Sequence, residues 1–216
     1  MPDPVDGLPA MVVGRWVTEE KHRIIARYID ASWAARQKFT SQRTYIDLFA
    51  GTGRVKIKHT QAFQDGGPLA AWQIAHQRRG AFSDFFIADA NQDFLAACDA
   101  RLRQRGAPLK SKVGRADETI DWVLPQLNKR GFHLALLDPF NAGHLHFSII
   151  EKLATMPTMD IVVHLVLVIS SAISHRVLRR RTRRSTTSPQ AGGTSCRGRA
   201  QSVQCGTPPS DTGRTW

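Results

Sequence analysis

Three aspartates, Asp47, Asp89 and Asp138, each close an apolar run, and two glycines, Gly51 and Gly53, follow the first of them. In Tyr45-Ile46-Asp47-Leu48-Phe49-Ala50-Gly51-Thr52-Gly53 a strand apolar enough to be buried on both faces passes into residues whose backbone reaches φ values closed to side chains. Such a βα turn brings backbone and a carboxylate up to a small polar ligand. Two familiar ligands do not suit the spacing. A dinucleotide fingerprint needs a third glycine three residues after the second and an acid about 20 residues further on. Lys56 holds the first of those positions, and the next strand-ending carboxylate, Asp89, lies well beyond the second. A phosphate loop fails as well, because no Gly-Lys-Ser/Thr follows.

The elements needed to position these carboxylates can be read from periodicity. Residues 18–38 carry Ile24, Ile25, Tyr28, Ile29 and Trp33 at helical spacing, which predicts an amphipathic helix before the first strand. Residues 54–63 read as a basic, poorly periodic loop beside the ligand turn, a lid or substrate contact, punctuated by Gly66-Gly67-Pro68 ahead of a helix over 69–77. Phe85-Phe86-Ile87-Ala88 predicts the second strand and 92–104 an alanine-rich helix. A weak third strand near Lys112-Val113 precedes Gly114-Arg115-Ala116-Asp117 and a helix over 120–127. His133-Leu134-Ala135-Leu136-Leu137 is the fourth strand, 147–154 a helix, and 160–169 a β-branched fifth strand. Strands alternating with helices predict an α/β fold, a Rossmann-like doubly wound, mostly parallel sheet, with its ligand crevice between strands one and four.

Composition divides the chain into a leader over 1–15, a Rossmann-like domain over 16–168 and a tail over 169–216. From Arg176 onward nine Arg face one acid, Asp211, so that +8 of the net +12 lies there and residues 1–175 are only mildly basic. No Asp or Glu occurs from Ile161 through Ser210, no Lys after Lys152, and neither Phe nor Tyr after Phe147. A segment of Arg, Ser, Thr, Gly and Pro buries too little apolar surface to offset its ordering entropy, so the tail reads as disordered. Its competing reading is a nucleic-acid-binding arm. The change comes where an α/β domain still needs closing C-terminal strands, which is the pattern a reading-frame error leaves. Cys98, Cys196 and Cys205 have no CxxC spacing, so neither a disulfide framework nor a zinc site is expected, and a reducing cytoplasm fits. No apolar run is long enough to span a bilayer and no signal pattern opens the chain.

The glycine-turn segment resembles motif I of class I S-adenosylmethionine-dependent methyltransferases. The ordered set of Trp16 with Lys21, the Asp-Leu-Phe-Ala-Gly turn, Gly67-Pro68-Leu69, Phe86-Ile87-Ala88-Asp89 and Leu137-Asp138-Pro139-Phe140 is similar to the three-Cys-motif partner (TcmP) family over about residues 14–164. Family members usually have Pro at the Thr52 position and Ser at the Gly67 position, and continue with structured sequence where this chain has its tail. The resemblance implies a class I methyltransferase-like fold, S-adenosylmethionine as cofactor and a three-Cys-motif protein as partner. It gives Asp47, Ala50, Gly51 and Gly53 to the methionine moiety, Asp89 to the ribose hydroxyls and Asp117 to the adenine amino group. Each carboxylate also has a plain reading as a surface acid, an N-cap or a partner for Arg115.

Asp138-Pro139-Phe140 resembles a shortened Asp-Pro-Pro-Tyr signature of amino-methylating enzymes. There a side-chain oxygen and a proline carbonyl accept hydrogen bonds from the target amine while the aromatic ring stacks on the base. A nucleobase target would have to be flipped out to reach it. The same three residues also suit a plain strand-ending turn. His144 and His146 share a face but have no third ligand at metal spacing, and Trp72 and Trp122 read as packing residues. Three functions follow: a methyltransferase-like enzyme acting on nucleic acid or a partner protein, a non-catalytic binding or partner module on the same scaffold, and an inactive truncated product.

Overall fold

Tyr45, Ile46, Phe85, Phe86 and Ile87 are fully buried, so the two central strands carrying them have helices on both faces. The computed structural model describes residues 1–15, 21–39, 42–77 and 80–164. Trp16, the end of the expected fifth strand over 165–169 and the arginine-rich tail lie outside them, and so does the expectation that closing C-terminal strands are missing. Five strands, β2 (Arg43–Asp47), β5 (Asp84–Asp89), β6 (Leu109–Val113), β7 (Phe132–Leu137) and β8 (Met159–Val163), form one sheet in the order β6-β5-β2-β7-β8 with every pairing parallel. This is a Rossmann-like, doubly wound arrangement. Strand order reverses beside β2, which pairs with β5 on one side and β7 on the other. The expected switch point between the first and fourth strands of the alternating pattern is where the sheet places it.

Alternation along the strands splits the core in two. Tyr45, Phe85, Ile87, Leu134 and Leu136 point to a layer built by α1 (His22–Ala31), α3 (Gly67–Gln77) and α4 (Gln92–Gln104), where Ile29, Leu69, Trp72, Cys98 and Leu102 meet them. Ile46, Phe86, Ala88, Ala135 and Leu137 face α5 (Ala116–Val123) and α6 (Phe147–Ala154), which supply Ile120, Val123, Ile149 and Leu153. Tyr45 stacks on Phe85 with centroids 4.4 Å apart, and Trp72 meets Phe85 edge-on. Burying each such aromatic stabilises the sheet by roughly 1.5–3 kcal/mol. Trp122 packs edge-on against Phe86, as its helical position implies.

Several elements differ from the sequence expectation. The 54–63 loop is a hairpin, β3 (Arg54–Ile57) with antiparallel β4 (Phe63–Asp65), and β3 also pairs in parallel with β1 (Met11–Val13) inside the leader. Burial alternates through Arg54, Val55, Lys56 and Ile57, but four residues are too few for that period to stand out from sequence. The single helix expected over 18–38 breaks at Ser32 (φ −78°, ψ 0°), whose hydroxyl donates to the Tyr28 carbonyl, and resumes as α2 (Trp33–Lys38). α5 starts earlier than expected and closes in a 3-10 turn over Leu124–Gln126, where Pro125 has no N–H to continue the α pattern.

Candidate functional site

Asp47 stands opposite Ile87 on one side and Leu136 on the other. Asp89 and Asp138, two residues further along their strands, therefore share its rim at the carboxyl end of the sheet. The glycine turn bends over this rim. The Ala50 N–H donates to the Ala88 carbonyl at 3.0 Å and the Gly51 N–H to Asp89 Oδ2 at 2.9 Å, which ties β2's turn to the end of β5. Gly51 and Gly53 take φ +59° and +73°. Their missing side chains make room for protein. A Cβ on Gly53 would lie 2.5 Å from Leu69 Cδ1 and 2.9 Å from Cys98 Sγ, and one on Gly51 would lie 3.0 Å from Met11 Sδ. Gly53 thus permits close packing of α3 and α4 under the turn, a packing role in addition to the ligand approach expected of it.

Each carboxylate sits in a different electrostatic setting. Asp47 is 2% exposed, accepts the Phe49 N–H at 3.0 Å on Oδ1 and the Tyr45 hydroxyl at 3.3 Å on Oδ2. Burial, reinforced by the Asp138 charge, pushes its pKa up to about 7 against the opposing pull of the Phe49 N–H and Lys21. Asp89 is half-buried and uses one lone pair per oxygen, on Gly51 and on the Asn91 N–H at 2.8 Å. Each oxygen keeps a second lone pair, enough to accept from two vicinal hydroxyls. Asp117, in the first turn of α5, is paired with Arg115 at 3.1 Å, and that guanidinium holds its carboxyl below the usual range.

Asp138 is held from two sides. Lys21 bonds to Oδ2 and His164 Nδ1 lies 2.8 Å from Oδ1. The sequence shows Lys21 only as part of a motif and gives His164 no role; their convergence on Asp138 comes from the register of β7 and β8 and the placement of α1. Next to Lys21, burial and the Lys21 charge lower the His22 pKa to about 4. Pro139 is buried, whereas Phe140 is 88% exposed and Phe147, at the start of α6, is 68% exposed. The rim after β7 therefore presents two bare phenyl rings where the sequence had singled out one. His144 lies in a 3-10 turn and His146 precedes α6; among the described residues no group of three or more His, Cys, Asp or Glu is placed to hold a metal ion.

No protein-family model matches the chain and no curated protein matches it. Among solved structures, LPL1258 from Legionella pneumophila superposes with a TM-score of 0.52 at 12% identity, covering 76% of this chain and 75% of that one, and shares the fold. WbdD gives a TM-score of 0.47 at 17% identity, and this chain spans about a third of it, 76% of this chain against 35% of WbdD. The S-adenosylmethionine-dependent methyltransferase from Agrobacterium tumefaciens gives 0.42 at 14% identity, covering 76% of this chain and 50% of that one. The chain is a Rossmann-like domain in fold, a doubly wound parallel sheet with helices on both faces. Three of its carboxylates thus stand in distinct settings: Asp89 half-buried with a second lone pair on each oxygen, Asp47 buried, and Asp117 paired with Arg115.

Proposed function

We propose that this domain binds S-adenosylmethionine and is a three-Cys-motif partner-type methyltransferase that N-methylates a nucleic-acid base or an amine of a partner protein. The observation that carries the reading is the Gly51 N–H to Asp89 hydrogen bond at 2.9 Å, which sets the turn and the diol acceptor side by side at the switch point. The bound cofactor supplies an electrophilic methyl group. Asp89 orients the ribose, Asp47 and the Ala50-Gly51 backbone hold the methionine end, and Asp117 receives the adenine amino group. Asp138, braced by Lys21 and His164, fixes the turn that offers Pro139 and the exposed Phe140 ring to the acceptor. The partnership with a three-Cys-motif protein is supported by the motif resemblance, and a cytoplasmic setting by the cysteine pattern. Among the described residues no helix is long and apolar enough to cross a membrane.

A second reading, a binding module without turnover, is favoured by one observation: both oxygens of Asp138 already have protein partners, which leaves less of the carboxylate for a target amine. Two variants separate the readings. Asp89→Ala should weaken S-adenosylmethionine binding at least tenfold, about 1.4 kcal/mol or more. Asp138→Ala should leave that binding within twofold of wild type while label transfer from the methyl-labelled cofactor to total nucleic acid and protein disappears. Equal loss of cofactor binding in both defeats this division of roles, and wild-type binding without any transfer selects the second reading.

A further inference from the structure

Directly after the glycine turn, the chain builds a three-stranded sheet in the order β1-β3-β4, one face of which the cofactor reading does not use. Register places Val12 beside Lys56 and Lys56 beside Phe63, so these three side chains form a row across the outward face while Val55 and Ile57 are buried behind it. Val12 is 54% exposed, Phe63 is half-buried, and the Lys56 ammonium stands 5.6 Å from the Phe63 ring centroid. Lys58 and His59 follow at the hairpin tip, both exposed, with His59 in the left-handed region at φ +62°. A cavity of about 380 Å³ opens there, lined by Val12, Lys56, Lys58, His59, Thr60 and Gln61 among others, and no carboxylate lines it. At the other end of β3, Arg54 is neutralised by Asp3 at 2.8 Å and Asp65 at 3.2 Å. Among the described residues no carboxylate pairs with Lys56 or Lys58, so positive charge is concentrated toward the tip, about 17 Å from Gly53 at about 3.3 Å rise per residue.

We propose that this face docks the substrate strand, with Lys56 and Lys58 seating phosphodiesters of single-stranded nucleic acid at the cavity and Phe63 beside them offering a surface on which a base stacks. The proposal rests on the reading above for its purpose, since the docked strand would run along β3 to the rim where Phe140 stands. Cations next to an aromatic ring, at a tip whose cavity no carboxylate lines, is the combination that holds single strands regardless of sequence. An acidic peptide would use the charge but leave the ring unused, and so is the less complete match.

The test measures fluorescence anisotropy of a labelled single-stranded oligothymidylate with the full chain over a series of salt concentrations. Each single-strand phosphate contact adds about 0.7 to the slope of log affinity against log salt. Lys56→Gln with Lys58→Gln should therefore lower the slope by about 1.4 and weaken binding by roughly 20-fold near 0.1 M salt. A charge-matched control, Lys38→Gln with Lys129→Gln, changes two exposed lysines elsewhere and leaves the tail's arginines untouched. It should alter the slope by much less. S-adenosylmethionine binding, followed in parallel, should be the same in all three proteins, and a failed nucleic-acid result with cofactor binding retained would overturn the docking face alone. Equal slopes in the two double variants, a parallel loss of cofactor binding in the hairpin variant, or equal capture and equal loss with a polyglutamate peptide would each overturn it.

Discussion

Asp47 is the residue whose chemistry the fold alters most. Burial raises its pKa to about 7, so between pH 4 and 7 the folded state holds a proton that the unfolded chain has released. Stability then falls as pH rises through that window, because the native state binds more protons than the unfolded state. His22 works in the opposite sense: its folded pKa of about 4 makes stability rise with pH between 4 and 6.5. The wild-type curve mixes the two, and Asp47→Asn separates them. Urea unfolding should show the variant gaining on wild type from pH 4 to 7, by on the order of 4 kcal/mol in total, then holding level. An ammonium placed against Asp47 favours its ionised form, so S-adenosylmethionine should bind wild type more tightly at pH 8 than at pH 6 and the variant about equally at both. Parallel stability curves for the two proteins would contradict the assignment.

Among the elements, the leader is more deeply built in than its composition suggests. Arg101 on α4 is 3% exposed; its guanidinium grips both oxygens of Asp6 at 2.7 and 2.8 Å and donates to the carbonyls of Pro9 at 2.8 Å and Thr52 at 2.7 Å. Thr52 Oγ1 in turn accepts the Met11 N–H at 3.2 Å. Residues 6–11, the glycine turn and α4 are thereby fastened at one point. Arg101→Gln should cost about 3 kcal/mol in urea unfolding, the low end for a broken buried pair because Asp6 is partly solvated. Asp6→Asn leaves the nearly buried guanidinium without a counter-charge and should cost a comparable amount, about 3 kcal/mol, and small losses in both would mean the clamp contributes little. None of this was readable beforehand: a lone Arg on a helix and an acid in a leader carry no periodicity that links them. The β3–β4 hairpin escaped for a related reason, since its β signal is only Val55 and Ile57.

At the level of the whole molecule, long buried strands announced themselves and contacts between distant segments did not. Ile46, Phe86 and Leu136 lie in apolar runs each ended by an acid, so the sheet, its order and the rim carrying Asp47, Asp89 and Asp138 followed from the sequence. What surrounds those carboxylates depends on sequence-distant partners: Lys21 and His164 converge on Asp138, and Arg101 donates directly to the Thr52 carbonyl while gripping the leader at Asp6. The central claim is that this rim is a cofactor site, and isothermal titration of the full chain with S-adenosylmethionine tests it most directly. The account expects one saturable site with micromolar affinity and an accompanying rise in Tm. A folded sample giving neither heat of binding nor thermal stabilisation would contradict it.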